Sequence, residues 1–193
     1  MAALVLSPLV NIASDQKRAR FLSLLREVGK ETLTSEPDCL AYIWLLSVTE
    51  TTAIRGVEIY RNDSALEDTH RRSTAYEKFR TVLIEEQLAP PPTAAALCRG
   101  RLVEKSRLPD PVNSSGPLVA ITGSVSVLTI TYARSEEILA ILGKVADEPR
   151  EKDQIAFVIS DLEESRQILV VGVFASRKAA DRARSTWKSL GQG

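Results

Sequence analysis

Apolar side chains recur every three or four positions between residues 16 and 33 (Phe21, Leu22, Leu25, Val28), the period of a helix with one buried face. Ser14 or Asp15 stands where such a helix needs its cap. Residues 1–12 before it read as a strand, and Ser35-Glu36-Pro37-Asp38 after it as a stop. Residues 40–48 are apolar on both faces of a strand, with Leu40, Tyr42, Trp44 and Leu46 on one and Ala41, Ile43 and Leu45 on the other. A strand of this kind must be covered on both sides, so Tyr42→Asp and Leu46→Asp are both expected to unfold it. Residues 49–52 turn into a partner strand, 53–60. Asp63 or Ser64 then caps a helix to about His70, and a further helix runs over 74–87. Pro90-Pro91-Pro92 stops it, and residues 97–104 read as a fourth strand closing a β-α-β-β-α-β lobe.

The second half repeats this pattern. Val171-Gly172-Val173-Phe174-Ala175-Ser176-Arg177-Lys178-Ala179-Ala180-Asp181-Arg182 aligns without a gap on Val57-Glu58-Ile59-Tyr60-Arg61-Asn62-Asp63-Ser64-Ala65-Leu66-Glu67-Asp68. Upstream lie a strand over 118–132, a helix capped by Ser135 with Ile138, Ile141, Leu142 and Val145 inward, and a hairpin of 155–160 and 167–174 around a turn at 161–166. Ser176 caps a last helix to about Leu190. This lobe has no final strand of its own unless 118–122 serves. The expected organisation is an N-terminal lobe over 1–107, a Pro- and Gly-containing linker over 108–117, and a degenerate C-terminal lobe over 118–193. The fold class is α+β, two ferredoxin-like lobes packed sheet to sheet around a barrel-like core with helices outside. The copies differ where chemistry could sit: Glu58 and His70 in the first face Gly172 and Arg184 in the second, so a reaction centre is expected in the first.

Composition narrows the function. Hydrophobic residues make up 44% and charged residues 26% of 193, ordinary for a globular protein. Lys plus Arg and Asp plus Glu are both 25, which argues against nucleic acid or a membrane surface as partner. No apolar run reaches the roughly 20 residues of a membrane span, and the start lacks the charge pattern of a leader. Two cysteines fit a reduced, cytoplasmic protein. One histidine and two distant cysteines argue against zinc, while a carboxylate magnesium site stays open. Glycine-rich nucleotide loops, nucleophile elbows and zinc helices are missing, so no cofactor is expected.

Glu58 and Tyr60 share one face of their strand. A carboxylate there is either a base or acceptor in a ligand pocket, or is paired with Arg55 or Arg71. His70 is either a general acid/base or a structural residue at a helix end. Tyr42 and Trp44 either stack on a planar substrate or fill the core between the lobes. Tyr60 either bonds a substrate hydroxyl or closes a core. Cys39 reads as a small buried hydrophobe, and residues 177–184 as a solvated basic face.

The stretch Glu36-Pro37-Asp38-Cys39-Leu40-Ala41-Tyr42 resembles the helix-to-strand junction of the antibiotic biosynthesis monooxygenase family, with Asp38 in place of the usual glycine. Val57-Glu58-Ile59-Tyr60, Ala65-Leu66 and His70 are similar to its next segment, with one extra residue between leucine and histidine. The resemblance covers residues 5–88 and implies the dimeric α+β barrel superfamily. Here the two fused lobes would make a pseudo-dimer, acting as a monomer or as a homodimer of fused chains. It implies a cofactor-independent monooxygenase or tailoring enzyme of secondary metabolism, taking a small aromatic or polyketide-like substrate. The alternatives it leaves are a cyclase that does not use oxygen and a non-catalytic ligand-binding or structural barrel. The family's heme-degrading branch fits poorly, because its tryptophan is missing from the strand segment.

Overall fold

Ser14 opens the first helix by accepting a hydrogen bond from the Lys17 N–H at 3.3 Å, and the helix α1 runs Asp15–Ser35. It stops because Glu36 precedes proline, a position that disfavours helical backbone; Glu36 lies at φ −119°, ψ 81°. The computed structural model describes residues 2–47, 50–91, 97–103, 124–131, 136, 139–140, 142, 154–162, 167–174 and 176–190. From Ala3 onward they fall into two compact units divided between Cys98 and Arg99.

In the first unit, strand β3 (Ala53–Tyr60) is flanked by β1 (Leu4–Asn11) and β2 (Cys39–Leu46), both antiparallel to it. By register Leu6 and Tyr42 both stand opposite Glu58, so the three share one face. That face carries α1 and α2 (Thr74–Glu85). Phe21, Leu24, Leu25 and Val28 of α1 and Phe79 of α2 pack there with Ile54 and Tyr42. Val5, Ala41, Val57 and Ile59 on the other face are buried too, so β3 is covered on both sides. Leu46, expected inside, is 56% exposed where β2 ends, which removes the reason to expect Leu46→Asp to unfold the chain.

Proline interrupts β1 in an informative way. Pro8 stands opposite Gly56 and has no N–H to give its carbonyl; the Ser7 hydroxyl donates there instead, at 3.0 Å. Gly56 also permits a close crossing, since a methyl group on it would lie 2.8 Å from the Pro8 ring.

Beyond β3 the chain does not enter a regular helix. Asn62, not Asp63 or Ser64, accepts the hydrogen bond from the Ala65 N–H at 2.8 Å. Residues Ala65–Thr69 form a π turn, and His70–Arg72 a 3-10 turn before Ser73 caps α2. The widened turn absorbs an additional residue without rotating the residues after it. Leu66 and His70 are therefore both buried despite the extra residue between them.

In the second unit β7 (Gln167–Phe174) pairs with β5 (Ser124–Thr131) and β6 (Gln154–Leu162), all antiparallel. Strand β4 (Leu97–Leu102) places Gly100, Arg101 and Leu102 opposite Leu162, Asp161 and Ser160 of β6. The segment expected to close the first lobe thus supplies the second unit with the strand it was expected to lack. Hydrophobic pattern specifies which face of a strand is buried, not which edge it joins. Helix α3 (Arg177–Leu190) comes after β7.

The repeat holds in three dimensions. Tyr60 and Phe174 are buried at the ends of equivalent strands, and the pairs Ala65-Leu66 and Ala179-Ala180 are buried at the start of the next helical element. The linker expected at 108–117, the strand at 118–122 and the helix residues Ser135, Ile138, Ile141 and Val145 lie outside the described residues; Leu142 of that helix is buried.

Candidate functional site

Three elements bring polar groups into the helix-covered side of the first unit. Strand β3 supplies Glu58 and Tyr60, which point the same way because side chains alternate along a strand. The turn after it supplies His70, and the end of α1 supplies Thr32 and Glu36. Glu58 is 7% exposed and His70 1%.

Glu58 accepts a hydrogen bond from the Tyr60 hydroxyl at 3.0 Å. The arginines that could have neutralised it are engaged elsewhere. Arg55, on the opposite face, donates to the Ser7 hydroxyl at 3.1 Å, and Arg71 pairs with Glu67 at 2.7 Å. Burial therefore dominates, and it pushes the Glu58 carboxyl above its ordinary range, opposed chiefly by the nearby His70 and by the Tyr60 hydroxyl.

The imidazole Nδ1 of His70 lies 2.9 Å from a carboxylate oxygen of Glu36 and 3.3 Å from the Thr32 hydroxyl. The Thr32 hydroxyl donates to the other Glu36 oxygen at 3.2 Å. The opposite ring nitrogen, Nε2, is buried and has no hydrogen-bond partner among the described residues. Around the ring stand three tyrosines: Tyr76 at 4.8 Å, Tyr60 at 5.3 Å and Tyr42 at 5.4 Å between centroids. Tyr42 in turn leans on α1, where a methyl group on Gly29 would meet its ring at 3.6 Å. Burial and then the Glu58 charge push the phenols of Tyr42 and Tyr60 well above their ordinary range, and Tyr76 more mildly.

Of the residues expected from sequence, Glu58, His70, Tyr42 and Tyr60 gather in this enclosure. Trp44 is one step removed: half-buried, it packs edge-on to Phe21 at 6.1 Å and to Tyr42 at 6.3 Å, against the core of the first unit. Tyr42 and Trp44 lie among side chains of α1 and α2. Sequence reasoning missed Glu36, Thr32 and Tyr76. Glu36 was visible as part of a helix stop, but its partner lies 34 positions away. Cys39 is half-buried, and burial raises its thiol pKa far above the ordinary value, leaving a poor nucleophile. Among the described residues no three His, Cys, Asp or Glu side chains group as a metal site would require, and no helix is long and apolar enough to cross a membrane.

The raised Glu58 pKa has a consequence for stability. The folded chain holds this proton to a higher pH than the unfolded chain does, so stability is lost as pH rises from the ordinary carboxylate range through the raised value. Glu58→Gln keeps an acceptor for Tyr60 and removes the titration. Its stability relative to wild type is expected to climb over that window, by at most about 1.4 kcal/mol per pH unit. Urea unfolding of both proteins between pH 4 and 8 measures it; parallel curves would contradict the burial argument.

The family model described as antibiotic biosynthesis monooxygenase matches residues 10–82. No curated protein matches the chain. Among solved structures, a candidate monooxygenase from Lactobacillus acidophilus NCFM superposes with a TM-score of 0.76 at 11% identity, covering 98% of this chain and 86% of that one. Another from Fusobacterium nucleatum superposes at 0.72 and 12% identity, covering 100% and 88%. At such identities the likeness shows a shared α+β fold over nearly the whole chain. Residues 10–82 thus resemble the antibiotic biosynthesis monooxygenase family, within a chain whose α+β fold these solved structures share.

Proposed function

We propose that the first unit is a small cofactor-independent monooxygenase acting on an aromatic, polyketide-like substrate such as an anthrone. The observation that carries this reading is the buried Nε2 of His70, without a hydrogen-bond partner among the described residues and set among Tyr42, Tyr60 and Tyr76 near the Glu58 carboxyl. A ring of tyrosines suits a planar ligand, and a buried nitrogen lone pair suits the removal of its proton.

In the proposed reaction His70 takes a proton from the substrate, leaving an electron-rich anion. That anion reduces oxygen directly. A ring CH2 becomes C=O, one oxygen atom staying in the product and the other leaving as water with the two hydrogens, so all four electrons come from the substrate. Glu58, whose burial favours its protonated form, returns a proton to the departing oxygen. The aromatic walls orient the ring and exclude water.

The density of the enclosure favours a second reading, in which Tyr60 and His70 are core residues of a non-catalytic domain. A panel of phenols and anthrones, incubated under air and under nitrogen, separates the two. Product under air alone supports the oxygenase, product under both supports a cyclase, and absence of product together with absence of binding supports the structural reading.

A further inference from the structure

We infer that Glu36 is the positioning residue of the site: it fixes the tautomer of His70, so that Nε2 and not Nδ1 is the proton acceptor. The inference rests on the reading of His70 as a base, but it makes a separate claim about where the resting proton sits.

With Glu36 as a carboxylate, one arrangement of protons pairs every group around Nδ1. A hydroxyl has a single proton to give, and the Thr32 proton is directed to the Glu36 oxygen at 3.2 Å. Thr32 therefore turns only lone pairs toward Nδ1, 3.3 Å away. The second Glu36 oxygen, 2.9 Å from Nδ1, is an acceptor as well. Nδ1 meets acceptors from both neighbours and must carry the proton. In the neutral ring the lone pair is then on Nε2, the atom without a partner among the described residues. A purely structural histidine would be expected to satisfy both nitrogens. Here one is doubly satisfied and the other left bare, among three aromatic rings.

The sequence builds this device locally. Glu36 is the residue before Pro37, held out of the helix at the end of α1, and its own N–H is tied to the Thr32 carbonyl at 3.0 Å. Thr32 lies one turn back on the same helix. Thr32 and Glu36 are thus carried together on one helix end, while His70 opens the 3-10 turn that follows the π turn.

The chain contains a single histidine, so nitrogen-15 labelling of histidine gives one imidazole and no assignment problem. Without substrate, and at a pH where the ring is neutral, the wild-type protein is expected to show a protonated Nδ1 and a bare Nε2. Glu36→Gln, which keeps an acceptor, is expected to retain that tautomer; Glu36→Leu is expected to give a mixture or the opposite form. Wild-type protein with the proton on Nε2 overturns the inference, as does an unchanged tautomer in folded Glu36→Leu. If Glu36→Leu does not fold, Glu36→Ala takes its place and is read in the same way: loss of the single tautomer supports the claim, and an unchanged Nδ1–H overturns it. Because no substrate is present, a correct tautomer with no turnover on any phenol counts against the proposed function and leaves the role of Glu36 standing.

Discussion

Phe21→Ala is expected to lower the stability of the first unit by about 3–5 kcal/mol, the usual range for emptying a buried aromatic position. Phe21 is 1% exposed and joins two elements that the site depends on. Its ring packs edge-on against Phe79 of α2 at 5.4 Å and against Trp44 of β2 at 6.1 Å. Tyr76, three positions before Phe79, forms one wall around His70. The cavity left by the truncation should therefore loosen α2 as well as weaken the core, lowering the near-ultraviolet circular dichroism of the aromatic cluster. Ile84→Ala on the same helix is the control. Ile84 is 69% exposed, and its truncation should change stability by no more than about 0.5 kcal/mol. Equal losses at the two positions, in denaturant unfolding, would mean that α2 is not held through Phe79 and Phe21.

Removing the proposed acid and base groups is expected to have the largest effect on chemistry. His70→Ala and Glu58→Gln should each lower turnover of an accepted phenol or anthrone about 10²- to 10⁴-fold, the range of a general acid or base. The two should not multiply, because they act on one proton path. Tyr42→Phe provides the contrast. It retains the ring beside His70 and removes only a hydroxyl, so the loss should be confined mainly to binding. Initial rates against substrate concentration for the four proteins distinguish these outcomes. Full turnover by His70→Ala would remove it from the reaction.

How much of this was legible in the chain depended on the range of the signal. Helical periodicity at Phe21, Leu25 and Val28 and the two-sided strand at residues 40–48 are local patterns, and they gave α1 and β2 to within two residues. The gapless match of Val57–Leu66 on Val171–Ala180 correctly set Tyr60 against Phe174 and Leu66 against Ala180. It also directed attention to Glu58, whose counterpart in the second copy is Gly172. The partner of β4 was beyond reach, because a six-residue strand reads the same whichever edge it joins. The dyad of Glu36 and His70 was missed for a related reason: each residue belongs to a segment with its own local explanation, one a helix stop and the other a helix end. The π turn had left a trace, the extra residue between Leu66 and His70, but only its geometry shows that the insertion keeps His70 inward.

Burial of Glu58 also sets it apart from His70 in the proposed site. A carboxyl held above its ordinary range by burial can donate a proton, and a bare Nε2 nearby can accept one. Such complementary groups inside a ring of tyrosines are suited to moving protons while the substrate supplies the electrons.

Oxygen consumption by the chelator-treated protein, monitored with an electrode on addition of an anthrone, tests the central claim most directly. One oxygen taken up per anthrone converted, without added flavin or metal and lost in the double variant E58Q/H70A, is the predicted result. Uptake that persists undiminished in that variant would contradict it.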